Sequence, residues 1–478
     1  MNYLVPIILG SDKDLDLGTK IKAKLIEFNI NSVIRICSAH KSCLALLKIL
    51  DEYNNNENIK VYITIAGKSN ALSALVEGNS LKPVISCPQL KDTNMLDVYS
   101  SISMPSGIAP LTVLGHENVA ISVAKIYALF DNNIQNMISE YKKSMSLKLH
   151  FKDIECRYEF DNHELLNKEI LSKCVNDTKN LNWLNKLNAN TKNISFLRNG
   201  KVRDVYEFLD NKYSFKYALI ASDRVSAFDR HLTTIPYKGI VLHQVSNWWF
   251  EKTKNLVPNH ILSSYDNRTM IVKRCNVFPI EFVMRSYLTG STQTSIWKNY
   301  EKGMRTYCGH ELPNGMFRNQ KLNKTLLTPT TKDEHDELIS EKEILEKNIM
   351  TKVQWETCKN YSYSLFEFGQ KLSLENGLIL VDTKYEFGVD ENGNILLVDE
   401  LHTPDSSRYW LNHSYKERFL NNKEPESIDK EIVRRWVKEN THNPYNLNEE
   451  IVIPDDIRLK LSSKYLQLHE LITGNLIS

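Results

Sequence analysis

The sequence lacks several features that would assign it to a specialised class of protein. No apolar run among the 478 residues approaches the roughly 18 residues that a membrane-spanning helix needs. The formal net charge is only +2, so no overall basic field indicates a nucleic-acid partner. The N-terminus, MNYLVPIILGSDKD, shows neither a basic leader nor a cleavage-like site. These absences favour a globular protein of the cytoplasm with no nucleic-acid or membrane partner.

The cysteines also lack any pattern of their own. The eight cysteines form no C-x-x-C pair, and no Cys/His cluster has the spacing of zinc ligands. We therefore expect reduced thiols, as in a cytoplasmic enzyme, rather than a disulfide framework or a structural metal.

Residues 1–130 alternate between strand-like and helix-like segments. The apolar runs YLVPIILG, SVIRICSA, KVYITIAG, PVISCP and APLTVLG are typical of strands, and amphipathic segments such as LGTKIKAKLIEFNI separate them. This alternation predicts right-handed βαβ units and a doubly wound α/β domain, in which helices cover both faces of a parallel sheet. Ligands of such sheets bind beyond the carboxyl ends of the strands.

The rest of the chain is predicted to form a second, α+β domain, because one core rarely serves so long a chain. Residues 151–185 are rich in Asn, Lys and Glu, which predicts a polar, helical linker between domains at 1–150 and 186–478. In the latter domain, strands and helices no longer alternate strictly. The segment GLILVDTKYEFGVDENGNILLVDEL is predicted to be a β-hairpin that turns at Asn392-Gly393.

Polar residues follow several predicted strands of the first domain. Gly10 and Ser11 lie between a strand and a helix, where backbone amides could hold a phosphate, although a helix cap explains them equally well. His40 and Lys41 follow the second strand, and alone they are more typical of a solvated loop. Because SAHK and AGKSN converge on one sheet edge, a pocket containing His40 and Lys41 becomes an equally good interpretation.

Residues 1–130 resemble the AIR (aminoimidazole ribonucleotide) carboxylase/mutase family of purine synthesis. The matching segments are GSDKDL, SAHK, AGKSNALSALVEGN, PVISCP and DVYSSISMPSG. SAHK and AGKSN are similar to the class II form, which takes carbon dioxide directly. One departure is EGNS, where the family has Gly-Asn-Thr. The resemblance implies a flavodoxin-like fold and an octameric assembly with sites shared between subunits.

The same resemblance implies roles for individual residues. His40 would move the proton at the imidazole carbon that gains the carboxylate, and Lys41 would hold the carboxylate or carbon dioxide. Ser11 and Asp14 would bind the ribose phosphate end, whereas the residues of AGKSN and EGN would shape the carbon dioxide pocket. The full set of implied AIR/CAIR contacts is Gly10, Ser11, Asp14, Ser38, Ser69, Asn70, Gly78 and Asn79.

The predicted hairpin of the second domain carries two facing carboxylates. A two-residue turn at Asn392-Gly393 sets Glu386 opposite Asp399, with Cβ atoms about 4.5–5.5 Å apart. Carboxylates that close repel one another unless a proton or cation lies between them, and Mg²⁺ bound with substrate phosphates would fit. A solvated acidic hairpin screened by Lys384 is the alternative, and a β-bulge would change the register.

Basic segments elsewhere in this domain suggest an anionic substrate alongside ATP. NGKVRDVYE could fold over a polyphosphate, although in isolation a plain basic turn is the better explanation. ASDRVSAFDR, FVMRSYLTGST and TPDSSRYW each place Arg beside hydroxyl groups, and the guanidinium fork matches phosphate and carboxylate.

These motifs, in this order over residues 194–410, resemble the SAICAR synthetase family, the ligase that joins CAIR (carboxylated AIR) to aspartate. The resemblance implies an ATP-grasp-like fold and activation of the CAIR carboxylate by ATP. It implies ATP contacts at Gly200, Lys201, Arg203 and Glu281, the last within the adenine-binding segment Pro279–Glu281. It implies CAIR contacts at Ser226, Asp229, Arg285, Ser291, Lys384, Asp405 and Arg408, and Mg²⁺ ligands at Glu386 and Asp399.

The product of the first implied reaction is the substrate of the second, so the sequence predicts a bifunctional enzyme. Its small-molecule partners would be AIR, carbon dioxide or bicarbonate, CAIR, L-aspartate and ATP. Three alternatives stay open: a catalytically silent N-terminal oligomerisation domain, a non-enzymatic nucleotide-binding regulator, and a kinase acting on a hydroxyl group. Carboxylation, Mg²⁺-dependent ADP release and aspartate dependence would distinguish them.

Overall fold

The computed structural model divides the chain into two compact units, Met1–Ser146 and Leu147–Ser478. It describes residues 3–89, 96–158, 166, 168–180, 194–209, 215–228, 230–332, 337–428, 431–446 and 449–477. Among the helices within these ranges, none has both the length and the apolar character that crossing a lipid bilayer requires.

The first unit contains a five-stranded parallel sheet in the order β2-β1-β3-β4-β5. The strands are β1 (Leu4–Leu9), β2 (Asn31–Ile36), β3 (Tyr62–Ile65), β4 (Val84–Ser86) and β5 (Leu111–Thr112). The helices are α1 (Leu15–Ile26), α2 (Cys43–Asn54), α3 (Ala71–Gly78), α4 (Leu96–Ile102), α5 (His116–Ala128) and α6 (Asn132–Arg157), whose residues from Leu147 onward belong to the second unit.

The central strand of this sheet is buried on both faces, which explains its continuous apolar sequence. Ile7 and Leu9 belong to one buried cluster with residues of α1 and α5, such as Ile21 and Val123. The intervening Ile8 belongs to another cluster, formed with residues of α2 and α3. The predicted three-layer, flavodoxin-like architecture is therefore confirmed.

The second unit is built from antiparallel sheets and helices. Its strands are β6 (Ile194–Asn199), β7 (Arg203–Phe208), β8 (Lys216–Ala221), β9 (Arg224–Ala227), β10 (Arg230–Thr234), β11 (Ile261–Ser264), β12 (Thr269–Lys273), β13 (Asn276–Val277), β14 (Ile280–Tyr287), β15 (Thr306–Tyr307), β16 (His310–Glu311), β17 (Lys321–Leu327), β18 (Thr330–Thr331), β19 (Leu378–Val389), β20 (Ile395–Val398) and β21 (Ser407–Leu411). Its helices are α7 (Lys238–Thr253), α8 (Ile296–Glu301), α9 (Glu341–Glu346), α10 (Lys352–Glu375), α11 (Asn412–Leu420), α12 (Glu431–Asn440) and α13 (Asp455–Thr473).

Two larger sheets organise this unit. One has the order β11-β12-β8-β7-β6, and the other is centred on β14 and β19, with β20 and β21 both paired to β19. The main core lies where α7, α10 and α13 pack, and it contains Trp249, Trp355, Phe366 and Tyr465. The prediction of an α+β second domain is confirmed.

The segment predicted to be a polar linker takes part in this core. Phe151, Ile154, Tyr158 and Leu166 are buried there. Positions 151, 154 and 158 are three and four residues apart, which places their side chains on one helical face. Because charged residues surround these positions, the composition of the segment is polar, and composition alone did not reveal the short apolar face of the helix. Over these residues the structure differs from the predicted linker.

The β19–β20 hairpin differs from its predicted register by one residue. Glu386 pairs with Val398, and Val389 pairs with Ile395, which leaves the loop Asp390–Asn394 between the strands. The Asp390 carboxylate accepts hydrogen bonds from the backbone N–H groups of Asn392 (3.0 Å) and Asn394 (2.9 Å). The predicted two-residue turn is wrong because this Asp side chain organises a wider loop.

Candidate active sites

The first predicted site lies at the carboxyl edge of the parallel sheet. Gly10 and Ser11 follow β1, the SAHK segment follows β2, and Ser69 follows β3. Because β2, β1 and β3 are parallel neighbours, the three segments meet at one edge. His40 and Lys41 are exposed there and so accessible to a ligand, and the Lys41 N–H donates to Ser38 Oγ (3.4 Å).

The Ser11–Asp14 segment combines a helix cap with a buried acid. Ser11 Oγ accepts a hydrogen bond from the Lys13 N–H (3.2 Å), so Ser11 caps the short helical turn that follows it, as one of the two interpretations predicted. Asp14 is buried, and its Oδ1 accepts from Gln89 Nε2 (2.9 Å). Gln89 was not identified from the sequence, because nothing in PVISCPQ marks it.

Asn70 is a structural residue in this conformation. Its Nδ2 donates to Ser86 Oγ (2.7 Å) and Ser101 Oγ (2.8 Å), and its Oδ1 accepts from the N–H and Oγ of Ser73. These four bonds use all the hydrogen-bonding positions of an Asn side chain. Asn70 therefore caps α3 and ties it to neighbouring elements, whereas the adjacent Ser69 is exposed.

Gly78 and Asn79 are not brought together with Ser69 within one chain. Gly78 is the last residue of α3, and Asn79 caps its C-terminus through a hydrogen bond from Nδ2 to the Leu75 carbonyl (2.8 Å). A helix of this length spans about 12 Å, so the two ends of α3 lie at different edges of the unit.

The second predicted site is a cleft of about 510 Å³ in the second unit. One part of its wall is apolar and includes Val205, Tyr217, Leu219 and Val272. The other part is charged. A ligand with a flat apolar portion and a highly charged portion would match this division. The predicted residues that line the cleft are Gly200, Lys201, Arg203, Ser226, Glu281, Lys384, Glu386, Asp399 and Asp405.

The two acidic residues meet in this cleft despite the changed register. Asp399 directly follows β20 with a φ of +66°, and this left-handed conformation ends the strand. Burial and the charge of Glu386 raise the pKa of Asp399 to about 6. The pKa of Glu386 is lowered, because the charges of Lys384 and Lys332 outweigh the effect of its burial. A shared proton or a cation would relieve the repulsion between the two carboxylates.

The loop between β6 and β7 requires a glycine at position 200. The Gly200 N–H donates to the Arg203 carbonyl (2.8 Å), and a Cβ on Gly200 would lie 2.3 Å from the same oxygen. Arg203 is buried, and its Nη1 donates to Glu400 (2.9 Å) and Asp399 (3.4 Å). Its Nη2 has no hydrogen-bond partner in the described part of the chain. A buried N–H group of this kind suits an anionic ligand such as a polyphosphate.

A second basic group lies across three strands, outside the lining of the cleft. Arg285 on β14 pairs with Asp382 on β19, and Asp382 pairs with Arg408 on β21. Both guanidinium groups contact the Asp382 carboxylate, at 3.6 Å and 2.5 Å. Two cations against one anion leave a positive charge that would suit a phosphate. Ser291 is half-buried just after β14, and Asp229 lies outside the described residues.

Several residues of the site were missed from the sequence. Asp382 could have been found, since it alternates with Lys384 and Glu386 on one strand face. Lys332 lies in TPTTKDEHDE, where the sequence offered no individual roles. Lys238 is fully buried and pairs with Asp405 (2.7 Å). In the sequence, its position within an apolar segment was the only sign of its burial. No sequence signal marks His260, which lines the cleft and whose pKa burial lowers to about 3.

A buried histidine anchors the loop 399–406, which carries Asp399, Glu400 and Asp405. His402 Nε2 is 2.5 Å from the Tyr385 hydroxyl, and its ring lies 4.7 Å from that of Trp249. A Cβ on Gly369 would lie 2.3 Å from His402 Cε1, so glycine is required where α10 passes the ring. Burial lowers the pKa of His402 to about 3.

We predict that acidification weakens this anchor. The unfolded chain binds a proton at this position below about pH 6.5, whereas the folded chain resists protonation until about pH 3. The contribution of His402 to stability is therefore fully present above pH 6.5 and decreases by about 2 kcal/mol between pH 6.5 and pH 5. Urea unfolding of the wild type and His402→Gln at pH 7, 6 and 5 should show the stability gap between them narrowing. A gap that is independent of pH would contradict the prediction.

Comparisons with known proteins agree with this division of the chain. A family model described as SAICAR synthetase matches residues 196–450, and one described as AIR carboxylase matches residues 4–148. The chain is 49% identical over 311 residues to the chloroplastic phosphoribosylaminoimidazole-succinocarboxamide synthase of Arabidopsis thaliana, covering 65% of this chain and 72% of the relative. The enzyme of that name from Legionella pneumophila (strain Paris) is 49% identical over 276 residues, or 58% and 86% of the two chains.

A solved structure also resembles the second unit. The SAICAR synthase of Saccharomyces cerevisiae, complexed with SAICAR, has a TM-score of 0.51 and 31% sequence identity. The likeness covers 60% of this chain and 96% of that one. The described sites and the matched families therefore fall on the same two parts of the sequence.

Proposed function

The chain belongs to the SAICAR synthetase family and carries an AIR carboxylase domain ahead of it, and on this premise we propose how its two sites act. It is a bifunctional enzyme of purine biosynthesis, with a lyase and a ligase activity. The observation that carries the proposal is the presence in one chain of two domains whose reactions share CAIR. We assign the carboxylase to residues 1–150 and the ligase to 186–478, joined by 151–185, of which Phe151, Ile154, Tyr158 and Leu166 pack in the core of the second unit.

At the carboxyl edge of the parallel sheet, His40 and Lys41 convert AIR to CAIR. A carbon–carbon bond forms between carbon dioxide and the imidazole carbon, and His40 takes the proton that this carbon loses. Lys41 stabilises the new carboxylate as a point charge. Ser11 and Asp14 hold the ribose phosphate end. This assignment is supported by the exposure of both side chains beside that segment.

In the cleft of the second unit, ATP is the phosphoryl donor. The apolar wall receives the adenine next to the backbone of 279–281, and the loop of Gly200, Lys201 and Arg203 covers the phosphates. The γ-phosphoryl group passes to the CAIR carboxylate and ADP leaves. The amine of L-aspartate then attacks the acyl carbon, an amide bond forms, and phosphate is released. The protein positions these reactants and stabilises their charges.

The cleft fits a magnesium ion bound jointly with the ATP phosphates. Within the described residues, no three His, Cys, Asp or Glu side chains are grouped as a metal site, which excludes an all-protein cage among them. Mg²⁺ is commonly bound through one or two carboxylates plus phosphates, and Glu386 and Asp399 offer that set. When bound, the ion would neutralise phosphate charge. Lys332, Lys384 and Arg203 balance the carboxylates on the protein side.

The remaining substrate contacts follow from the basic groups. Arg285 and Arg408 bind the phosphate of CAIR, and Ser226, Asp229 and Ser291 are proposed as further CAIR contacts. Lys384 and Asp405 act on the side of the reacting carboxylate. We further propose that the enzyme works in the cytoplasm as a homo-octamer assembled through the first unit, without nucleic-acid or membrane partners. Leu44 and Leu81, which are 77% and 105% exposed on a single chain, are large apolar side chains that such an assembly would cover.

ADP release tests both activities in one experiment. The purified chain is supplied with ATP, Mg²⁺ and L-aspartate, and the reaction is started either with AIR and bicarbonate or with CAIR. We expect aspartate-dependent ADP release from both. Release from CAIR alone would favour the alternative in which the first unit is catalytically silent. Release that does not depend on aspartate would contradict the ligase assignment.

A further inference from the structure

The C-terminal helix α13 lies beyond the residues that the SAICAR synthetase family model matches, which end at 450. The sequence predicts no catalytic or binding role for this helix. In the structure α13 is a core helix, with Leu459, Leu466 and Leu468 fully buried, and it packs against α7 and α12. Its burial alone would be explained by packing, so any further role must come from a polar contact.

Tyr465 supplies such a contact. Its hydroxyl donates a hydrogen bond to Asp405 Oδ1 (2.5 Å), while Nζ of the fully buried Lys238 donates to Asp405 Oδ2 (2.7 Å). Asp405 lines the ligase cleft. The ammonium neutralises the carboxylate from one of its two oxygens. A second donor on the other oxygen fixes its orientation.

A continuous set of hydrogen bonds leads from Asp405 to the charged groups of the cleft. The Asp405 N–H donates to Thr403 Oγ1 (3.3 Å), and Thr403 Oγ1 donates to Glu400 Oε2 (2.7 Å). Glu400 accepts in turn from Arg203 (2.9 Å), which also contacts Asp399 (3.4 Å). Asp405 is thereby connected through its backbone N–H to Thr403 and Glu400 of the loop 399–406, and through Glu400 to Arg203.

We propose that Tyr465 is a positioning residue of the ligase: with Lys238 it fixes Asp405, and through Asp405 it sets the loop that carries Glu400 and Asp399. The C-terminal helix thus contributes a residue that orients a side chain of the ligase site. This inference rests on the proposed ligase function. It does not require Tyr465 to touch a substrate, and its effect should fall on the catalytic step more than on ATP binding.

A double-mutant cycle with Tyr465→Phe and Asp405→Asn tests the proposal. Ligase kcat and KM are measured from CAIR, ATP and aspartate for the wild type, both single variants and the double variant. Tyr465→Phe keeps the ring, and we expect kcat to fall about tenfold or more with little change in the KM for ATP. In the Asp405→Asn background, the same change should cost less than about twofold, because its partner is already altered.

Ser463→Ala is the matched control on the same helix. Its hydroxyl donates to the Tyr158 carbonyl (2.8 Å) and accepts from Gln467 Nε2 (3.0 Å), so the variant loses two buried hydrogen bonds away from Asp405. We expect wild-type kinetics from it, with a melting temperature lowered at least as much as in Tyr465→Phe. Wild-type kcat in Tyr465→Phe, or additive effects in the cycle, would overturn the inference. A wild-type enzyme without aspartate-dependent ADP release from CAIR would instead refute the proposed function itself.

Discussion

His40→Asn should abolish the carboxylation of AIR while the same protein still converts CAIR to SAICAR at the wild-type rate. Of the residues assigned to the carboxylase site, only His40 carries an imidazole, the side-chain type that suits proton transfer at physiological pH. General acid–base groups contribute about 10²- to 10⁴-fold to rates, so we expect a loss of at least about a hundredfold. The measurement is CAIR formation from AIR and bicarbonate.

The second activity of the chain is a built-in control for this variant. His40 is exposed at the sheet edge, so an Asn of similar polarity should not disturb the core of the first unit. Ligase activity from CAIR reports that the preparation is folded and correctly quantified. Retained carboxylation would show that another group moves the proton. Loss of both activities would show that the substitution acts through folding.

The architecture of the first unit was predictable because its inner parallel strands, β1, β3 and β4, are buried. A strand such as β1 therefore appears as an unbroken apolar run, and the polar residues that follow it mark the sheet edge where ligands bind. The structural role of Asn70 could not be predicted in this way. Its partners Ser86 and Ser101 lie 16 and 31 residues away, so only the tertiary structure shows that its amide is already fully used.

The second site shows a similar limit. The alternation of Lys384 and Glu386 along one strand is a local signal, and it correctly placed these two charged groups on one face of β19. Asp382 continues the same alternation, although it was not identified from the sequence. The register of the hairpin depended on one additional side chain, Asp390, which the turn rule for Asn-Gly does not consider. The contact between Tyr465 and Asp405 joins residues 60 positions apart through helix packing. No pattern in either segment indicates the other.

Glu386→Gln should reduce the ligase rate from CAIR by at least about a hundredfold, as removal of one group that stabilises developing charge commonly does. Glu386 accepts hydrogen bonds from both Lys332 and Lys384 and lies beside Asp399. The amide keeps the shape of the side chain but removes its charge, so the cleft loses a proposed cation ligand. Lys332 loses the carboxylate it pairs with, whereas Lys384 keeps its contact with Glu281 (2.6 Å). AIR carboxylation, measured on the same preparation, should be unchanged.

Glu391→Gln is the matched control, since it makes the same change at the exposed tip of the same hairpin. It should retain the full ligase rate. Raising the Mg²⁺ concentration should restore part of the lost rate in Glu386→Gln, because Asp399 remains as a ligand, and should not affect Glu391→Gln. Full activity in Glu386→Gln would show that the paired carboxylates serve only to balance the lysines of the cleft. An equal loss in both variants would show that the substitutions act by disturbing the fold of the hairpin and not by removing a charge.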